Sequence, residues 1–136
     1  MTKLLLLLLT SSLLSAYSLK LHIKDIANHK GQILIAIYKD KNNFLNIDKF
    51  YKKGIISNIK SSNIDYTFKD IPKGKYAISI FHDKNKNSKI DRNFIGIPKE
   101  GYGFSNNIRP NFRPANFKEA EFMLKKDLTI TIKMGY

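Results

Sequence analysis

Apolar and polar residues alternate along most of this chain, the period-two signature of strands that bury one face. Leu19, Leu21 and Ile23 alternate with Lys20, His22 and Lys24, and Ile64, Tyr66 and Phe68 alternate with Asp65, Thr67 and Lys69. Tyr76, Ile78 and Ile80 follow the turn Pro72-Lys73-Gly74, and Leu128, Ile130, Ile132 and Met134 keep the same rhythm near the end. Gly31 opens a run from Ile33 to Tyr38 that is apolar on both faces, which predicts a central strand. Residues 55–59 add a further short strand.

Two stretches depart from alternation. Within 42–53, Phe44, Ile47, Phe50 and Tyr51 fall at helical spacing, so one or two helical turns are expected between strands. Residues 114–124, with Phe117, Ala120 and Leu124, suit a short helix or an irregular turn. About six or seven short strands, turn signals between them and no long helix predict the all-β class. The expected architecture is an immunoglobulin-like or transthyretin-like β-sandwich with long loops.

The first residues add a destination. Lys3, the apolar run from Leu4 to Leu9 and the small-residue region Ala16-Tyr17-Ser18 follow the order of a secretory signal peptide. The apolar run is too short to cross about 30 Å of hydrocarbon. Residues 1–18 are therefore expected to be removed after Ser18, leaving 19–136 as a single β-sandwich domain, periplasmic or secreted. The chain has no cysteine, so neither a lipid anchor at the cleavage site nor a disulfide is available.

Lys and Arg number 24 against 11 Asp and Glu, a formal charge of +13. Only Arg92, Arg109 and Arg113 are arginine, and the lysines are scattered, which describes a solvated basic surface rather than clustered phosphate forks. With export, this argues against nucleic acid as a partner. An anionic envelope component is the more natural one, held by attraction that salt weakens.

One segment has chemical content. Asp83-Lys84-Asn85-Lys86-Asn87-Ser88-Lys89-Ile90-Asp91 places oxygen-bearing side chains at loop positions 1, 3, 5 and 9. Ca2+ takes six to eight hard oxygen ligands at about 2.3–2.6 Å, and alternate residues of a curled loop can converge on one ion. The expected ligands are Asp83, Asn85, Asn87, the main-chain carbonyl of Lys89, and Asp91. Ser88 stands where such loops commonly use glycine, Phe94 stands where an EF-hand places its bidentate glutamate, and Lys84, Lys86, Lys89 and Arg92 oppose a cation. Binding is therefore expected to be weak, in the range of about 0.1–1 mM or above. Glu100 supplies a further carboxylate only if the chain folds back. The competing reading is a metal-free Asx-rich turn whose side chains bond their own backbone.

From His82 the chain continues H-D-K-N-K-N-S-K-I-D-R-N-F-I-G-I-P-K-E-G-Y-G-F-S-N-N to Asn107. This combination resembles the bacterial family catalogued as domain of unknown function 2141, and the likeness extends more loosely through Gly31-Gln32-Ile33, the turn 72–76 and Pro114-Ala115-Asn116-Phe117. The resemblance implies a small exported β-sandwich and carries no activity with it.

Gly96, Pro98, Gly101 and Gly103 predict a long irregular loop over 96–107, pinned to the sandwich by Tyr102 and Phe104. Loops on rigid scaffolds carry binding residues. Glu100, Tyr102, Phe104, Ser105, Asn106, Asn107 and Arg109 form the expected partner-binding set, with Phe112 and Arg113 beside it. The alternative is a structural loop packed by its own aromatics. No catalytic set is assembled by the sequence: there is no Cys and no G-x-S-x-G. His82, beside Asp83, reads as a packing or hydrogen-bonding residue. Asp83 or Asp91 with Glu100 leaves an envelope carbohydrate hydrolase as a remote alternative. The leading expectation is a non-enzymatic module, and the runner-up is a purely structural domain without metal.

Overall fold

The computed structural model describes residues 15–89 and 100–136. Eight strands lie within them: β1 (Ala16–Lys24), β2 (Gln32–Tyr38), β3 (Lys52–Ile56), β4 (Ile64–Pro72), β5 (Gly74–Asp83), β6 (Tyr102–Phe104), β7 (Phe122–Leu124) and β8 (Leu128–Lys133). A 3-10 turn at Ser105–Asn107 and one short helix, α1 (Phe117–Ala120), complete the set. One sheet has the order β4-β1-β8, and the other runs β3-β2-β5-β6 with β7 also pairing with β5. This is an all-β sandwich.

Alternation decides which side chains meet between the sheets. Leu19, Leu21 and Ile23 of β1 are fully buried while Lys20 points to solvent. Across the sandwich, Ile33, Ile35 and Ile37 of β2 sit in register with His82, Ile80 and Ile78 of β5, and all six are buried. Phe68, Ile71, Leu124 and Ile132 join the same core. Each aliphatic side chain so buried contributes about 1.5–3 kcal/mol of transfer free energy. A second, smaller cluster covers one end of the outer face of the five-stranded sheet, where Ala77, Phe104, Ala115 and Ala120 meet Phe44, Leu45 and Phe117. Phe44 packs edge-on against both Tyr38 and Phe117, at ring-centre distances of 5.3 and 5.9 Å.

Several expectations need correction. The stretch 42–53 holds turns followed by the start of β3 rather than a helix: Asn46 N–H bonds the Asn43 carbonyl, Lys49 N–H bonds the Asn46 carbonyl, and Leu45 takes a left-handed φ of 67°. The strand expected over 55–59 runs Lys52–Ile56. The stretch expected to be irregular contains β6, which pairs antiparallel with β5 through Ser79↔Phe104 and Phe81↔Tyr102. With the short β6 and β7 included, the described residues hold eight strands, in keeping with the expected sandwich of about six or seven. Residues 114–124 divide into α1 and β7, and Asn116 caps the helix by a reciprocal capping box with Glu119.

Residues 1–14, most of the expected leader, lie outside the described residues. β1 begins at Ala16, so it takes in the last three residues of that leader, and the first fully buried side chain is Leu19. Among the described residues, no helix is long and apolar enough to cross a membrane.

Candidate functional site

β5 delivers the site. Its inward residues end with His82, and Asp83 terminates the strand, fully buried and in register with Gln32 of β2. Gln32 Nε2 donates to Asp83 Oδ2 at 2.8 Å. The chain preceding β2 passes so close that only glycine fits: Gly31 has φ 74°, and a Cβ there would overlap the Asp83 carbonyl and Lys84 main chain. The Asp83 carboxylate is thus fixed by the neighbouring strand before the loop is considered.

The loop then wraps around it. Asn87 N–H donates to Asp83 Oδ1 at 3.1 Å and Ser88 N–H to Oδ2 at 2.8 Å. Lys86 and Ser88 both adopt left-handed backbone, φ 56° and 61°. Ser88 therefore takes the conformation for which glycine is usual, and the tight curl that its identity put in doubt is formed. The side-chain oxygen of Asn85 accepts from Asn87 N–H at 3.3 Å, and that of Asn87 from Lys89 N–H at 2.9 Å. Asp83, Asn85 and Asn87 are brought onto one small loop, with Asp83 buried and the other two exposed. Lys89 follows them, exposed, and Asp91 lies outside the described residues.

Glu100 returns to this place. It is buried, its Oε1 accepts from Lys84 N–H at 3.2 Å, and the next carbonyl, that of Gly101, accepts from His82 N–H at 2.8 Å. The fold-back required for a second carboxylate near Asp83 therefore exists. Among the described residues no three His, Cys, Asp or Glu side chains gather at one point. A cation here would rest on Asp83 together with amide and main-chain oxygens.

His82 anchors the loop's root from inside. The Lys30 carbonyl can only accept, so Nε2 carries the proton and donates to it at 2.5 Å, while Nδ1 accepts from the Tyr136 hydroxyl at 2.7 Å. Burial holds the His82 pKa below its ordinary value; Lys84 adds to the depression, and the bond to Lys30 and the nearby Asp83 oppose it. The Tyr136 ring lies against Gly101, where a Cβ would overlap it, and Lys84 Nζ sits 5.5 Å from its centre. Nothing local in the sequence announced Tyr136 as part of this site, because the contact closes across the whole domain.

The expected partner-binding residues are distributed differently from a common surface. Glu100, Phe104 and Ser105 are buried. Ser105 Oγ accepts from Ile78 N–H at 2.9 Å and donates to the Ala120 carbonyl at 2.5 Å, which ties the loop to β5 and α1. Asn106 Nδ2 donates to the carbonyls of Glu119 and Glu121, and Asn107 brackets β8 through the Thr131 carbonyl and Lys133 N–H. Tyr102 is half-buried, and the exposed Arg109 lies over its ring at 4.1 Å while donating to the Tyr102 carbonyl at 3.0 Å. Asn106 and Asn107 are exposed with their side chains bonded to backbone, and Tyr102 and Arg109 also present a face outward, together with the neighbouring Phe112 and Arg113.

No curated protein and no solved structure matches the chain. A family model described as an uncharacterised protein conserved in bacteria, DUF2141, matches residues 21–132, a span from β1 into β8 that contains the loop 83–91. The chain belongs to the DUF2141 family of bacterial proteins.

Proposed function

We propose that this chain is an exported, non-enzymatic β-sandwich module that binds Ca2+ weakly in the loop 83–91 and meets an anionic envelope component through the face beside it. The observation that carries the calcium reading is the curl of the loop around Asp83: two backbone N–H groups hold the carboxylate, and left-handed Lys86 and Ser88 bring Asn85 and Asn87 round on the same loop. Alternate oxygen donors on such a turn are what a hard cation needs. Lys84, Lys86 and Lys89 keep the affinity low. Export is supported by the leader-like order of the first residues, and a Ca2+ site of millimolar strength suits an environment outside the cytoplasm.

A second reading rests on a specific observation too. The Asn85 and Asn87 side chains each accept an N–H of the loop itself, as a metal-free Asx-rich turn would. Melting curves in EGTA and in 10 mM CaCl2 separate the two. With a dissociation constant near 1 mM, 10 mM Ca2+ adds about 1.4 kcal/mol to the native state, a rise of a few degrees. Asp83→Ala is a poor discriminator, since losing its N–H acceptors destabilises the loop in either case. Asn85→Ala, at an exposed position, should remove the calcium-dependent rise, read as the difference between EGTA and CaCl2 within the same variant, whatever it costs the melting temperature in EGTA. Identical melting in EGTA and CaCl2 overturns the calcium reading.

A further inference from the structure

Among the described residues, the outer face of the five-stranded sheet is covered at one end only. One end carries the second apolar cluster. The other presents a row of side chains that runs across four strands, Ile55, Leu34, Phe81 and Tyr102, each paired with the next. This row floors a groove of about 1090 Å³, at the upper end of the roughly 300–1,000 Å³ of small-molecule sites. One wall is the turn segment with Leu45, Ile47 and Phe50; the other is the arm Arg109-Pro110-Asn111-Phe112-Arg113-Pro114. Ile47, Ile55 and Phe112, exposed to 59, 46 and 105%, all border it. Large apolar side chains gathered in solvent around one depression mark a binding surface.

The arm is built to hold Phe112 out. Arg109 is fixed at one end by the Tyr102 carbonyl and ring. Arg113 is fixed at the other by a two-pronged bond to Glu119, at 3.0 and 2.7 Å. Between them Phe112 sits at φ 62°, a conformation a bulky residue adopts only at a cost. Arg113 pairs its charge with Glu119, whereas Lys53, on the opposite flank, has no ion pair among the described residues and lies 5.6 Å from the Phe50 ring. Asp48 is the carboxylate among the lining residues. Lys53 and Arg109 outweigh it, within a chain of charge +13.

We propose that this groove binds a single-chain anionic amphiphile, its acyl chain lying on Leu34 and Phe81 between Ile47 and Phe112 and its acidic headgroup held at Lys53. The proposal sharpens the partner reading given above and is independent of calcium. The middle of its floor, Leu34 and Phe81, lies on β2 and β5, each paired on both sides, so it offers an apolar trough to a chain of methylenes rather than main-chain pairing to a peptide.

Palmitate, kept below its critical micelle concentration, is titrated into the full chain in EGTA, followed by calorimetry and by displacement of 1-anilinonaphthalene-8-sulfonate. Saturation at one palmitate per chain is expected, with at least tenfold weaker binding for Lys53→Glu and no loss of that variant's affinity for neutral monopalmitin. Leu34→Glu, on the half-exposed floor, should abolish both, and Phe112→Ser, fully exposed and therefore harmless to folding, should weaken both at least threefold. Absence of saturable binding overturns the proposal, as does equal affinity of wild type and all three variants. A dimer in sedimentation that palmitate fails to dissociate also overturns it, assigning the face to a second copy. Capture of an anionic envelope polymer that has no acyl chain, by wild type and Leu34→Glu alike, sinks the amphiphile and leaves the partner reading standing.

Discussion

Gly31 and Asp83 touch backbone to backbone: a side-chain carbon on Gly31 would overlap the Asp83 carbonyl oxygen, and Gly31 already lies at a positive φ. The entrance to β2 and the exit of β5 are pressed together at the root of the candidate site. Gly31→Ala should cost more than the ~1–2 kcal/mol of a left-handed alanine alone, because strand separation is added to it. Urea denaturation reads the loss as a lower midpoint at unchanged slope.

Ser88 is the reverse case. It holds a left-handed φ of 61° on an exposed loop, with its N–H donated to Asp83. Ser88→Gly relieves the strain and keeps the bond, so stability should rise by up to about 1 kcal/mol, partly offset by the flexibility of glycine in the unfolded chain. If the loop takes calcium, the titration midpoint should move to lower concentration in the same variant.

His82 makes stability depend on pH in a defined direction. Its folded pKa lies below the ordinary value because burial disfavours the charged ring. The unfolded chain therefore binds the proton first as pH falls. The contribution is complete above about pH 6.5, the unfolded value, and is lost on acidification from there down through the folded pKa. Melting temperature should be flat near pH 7.5 and decline below 6.5. His82→Gln, which keeps one donor and one acceptor, should flatten that decline at the cost of a lower melting temperature throughout.

A separate acid step belongs to Glu119. The Arg113 fork and the Asn116 N–H of the capping box lower its carboxyl from 4.5 to about 2. Its contribution is therefore present above pH 4.5 and lost as pH falls toward 2. Glu119→Gln should remove that step, and high salt should shrink it, since the pair is surface-exposed. Asp65 is also held below its ordinary value, chiefly by its hydrogen bond with His22. Asp65→Asn is thus the control, expected to leave the α1 cap intact by hydrogen exchange.

Much of the fold could be read from alternation, because β1, β4 and β8 each bury one face and β2 runs through the middle of its sheet. The helical spacing of Phe44, Ile47 and Phe50 misled for a physical reason. Phe44 is drawn into the aromatic cluster beside Tyr38, while Ile47 is left in solvent by successive tight turns whose three-residue steps imitate a helix. β6 escaped notice because three residues with a central glycine show no period. At the site, Asp83, Asn85 and Asn87 were legible as neighbours in sequence. The partners that fix them were not, since Gly31 and Gln32 arrive at the start of β2, Glu100 from the segment just before β6, and Tyr136 from the far end of the domain.

The placement of β1 has a kinetic consequence. It is the central strand of its sheet, yet its flanking partners are β4 and β8, with Leu19 matched to Leu128. The earliest of the described strands must wait for the latest before its second ladder can close, and loop-closure entropy over that distance makes the step slow. Until then the apolar side of β1 stays without its full cover, which leaves the unfinished chain threadable and also open to capture by a chaperone.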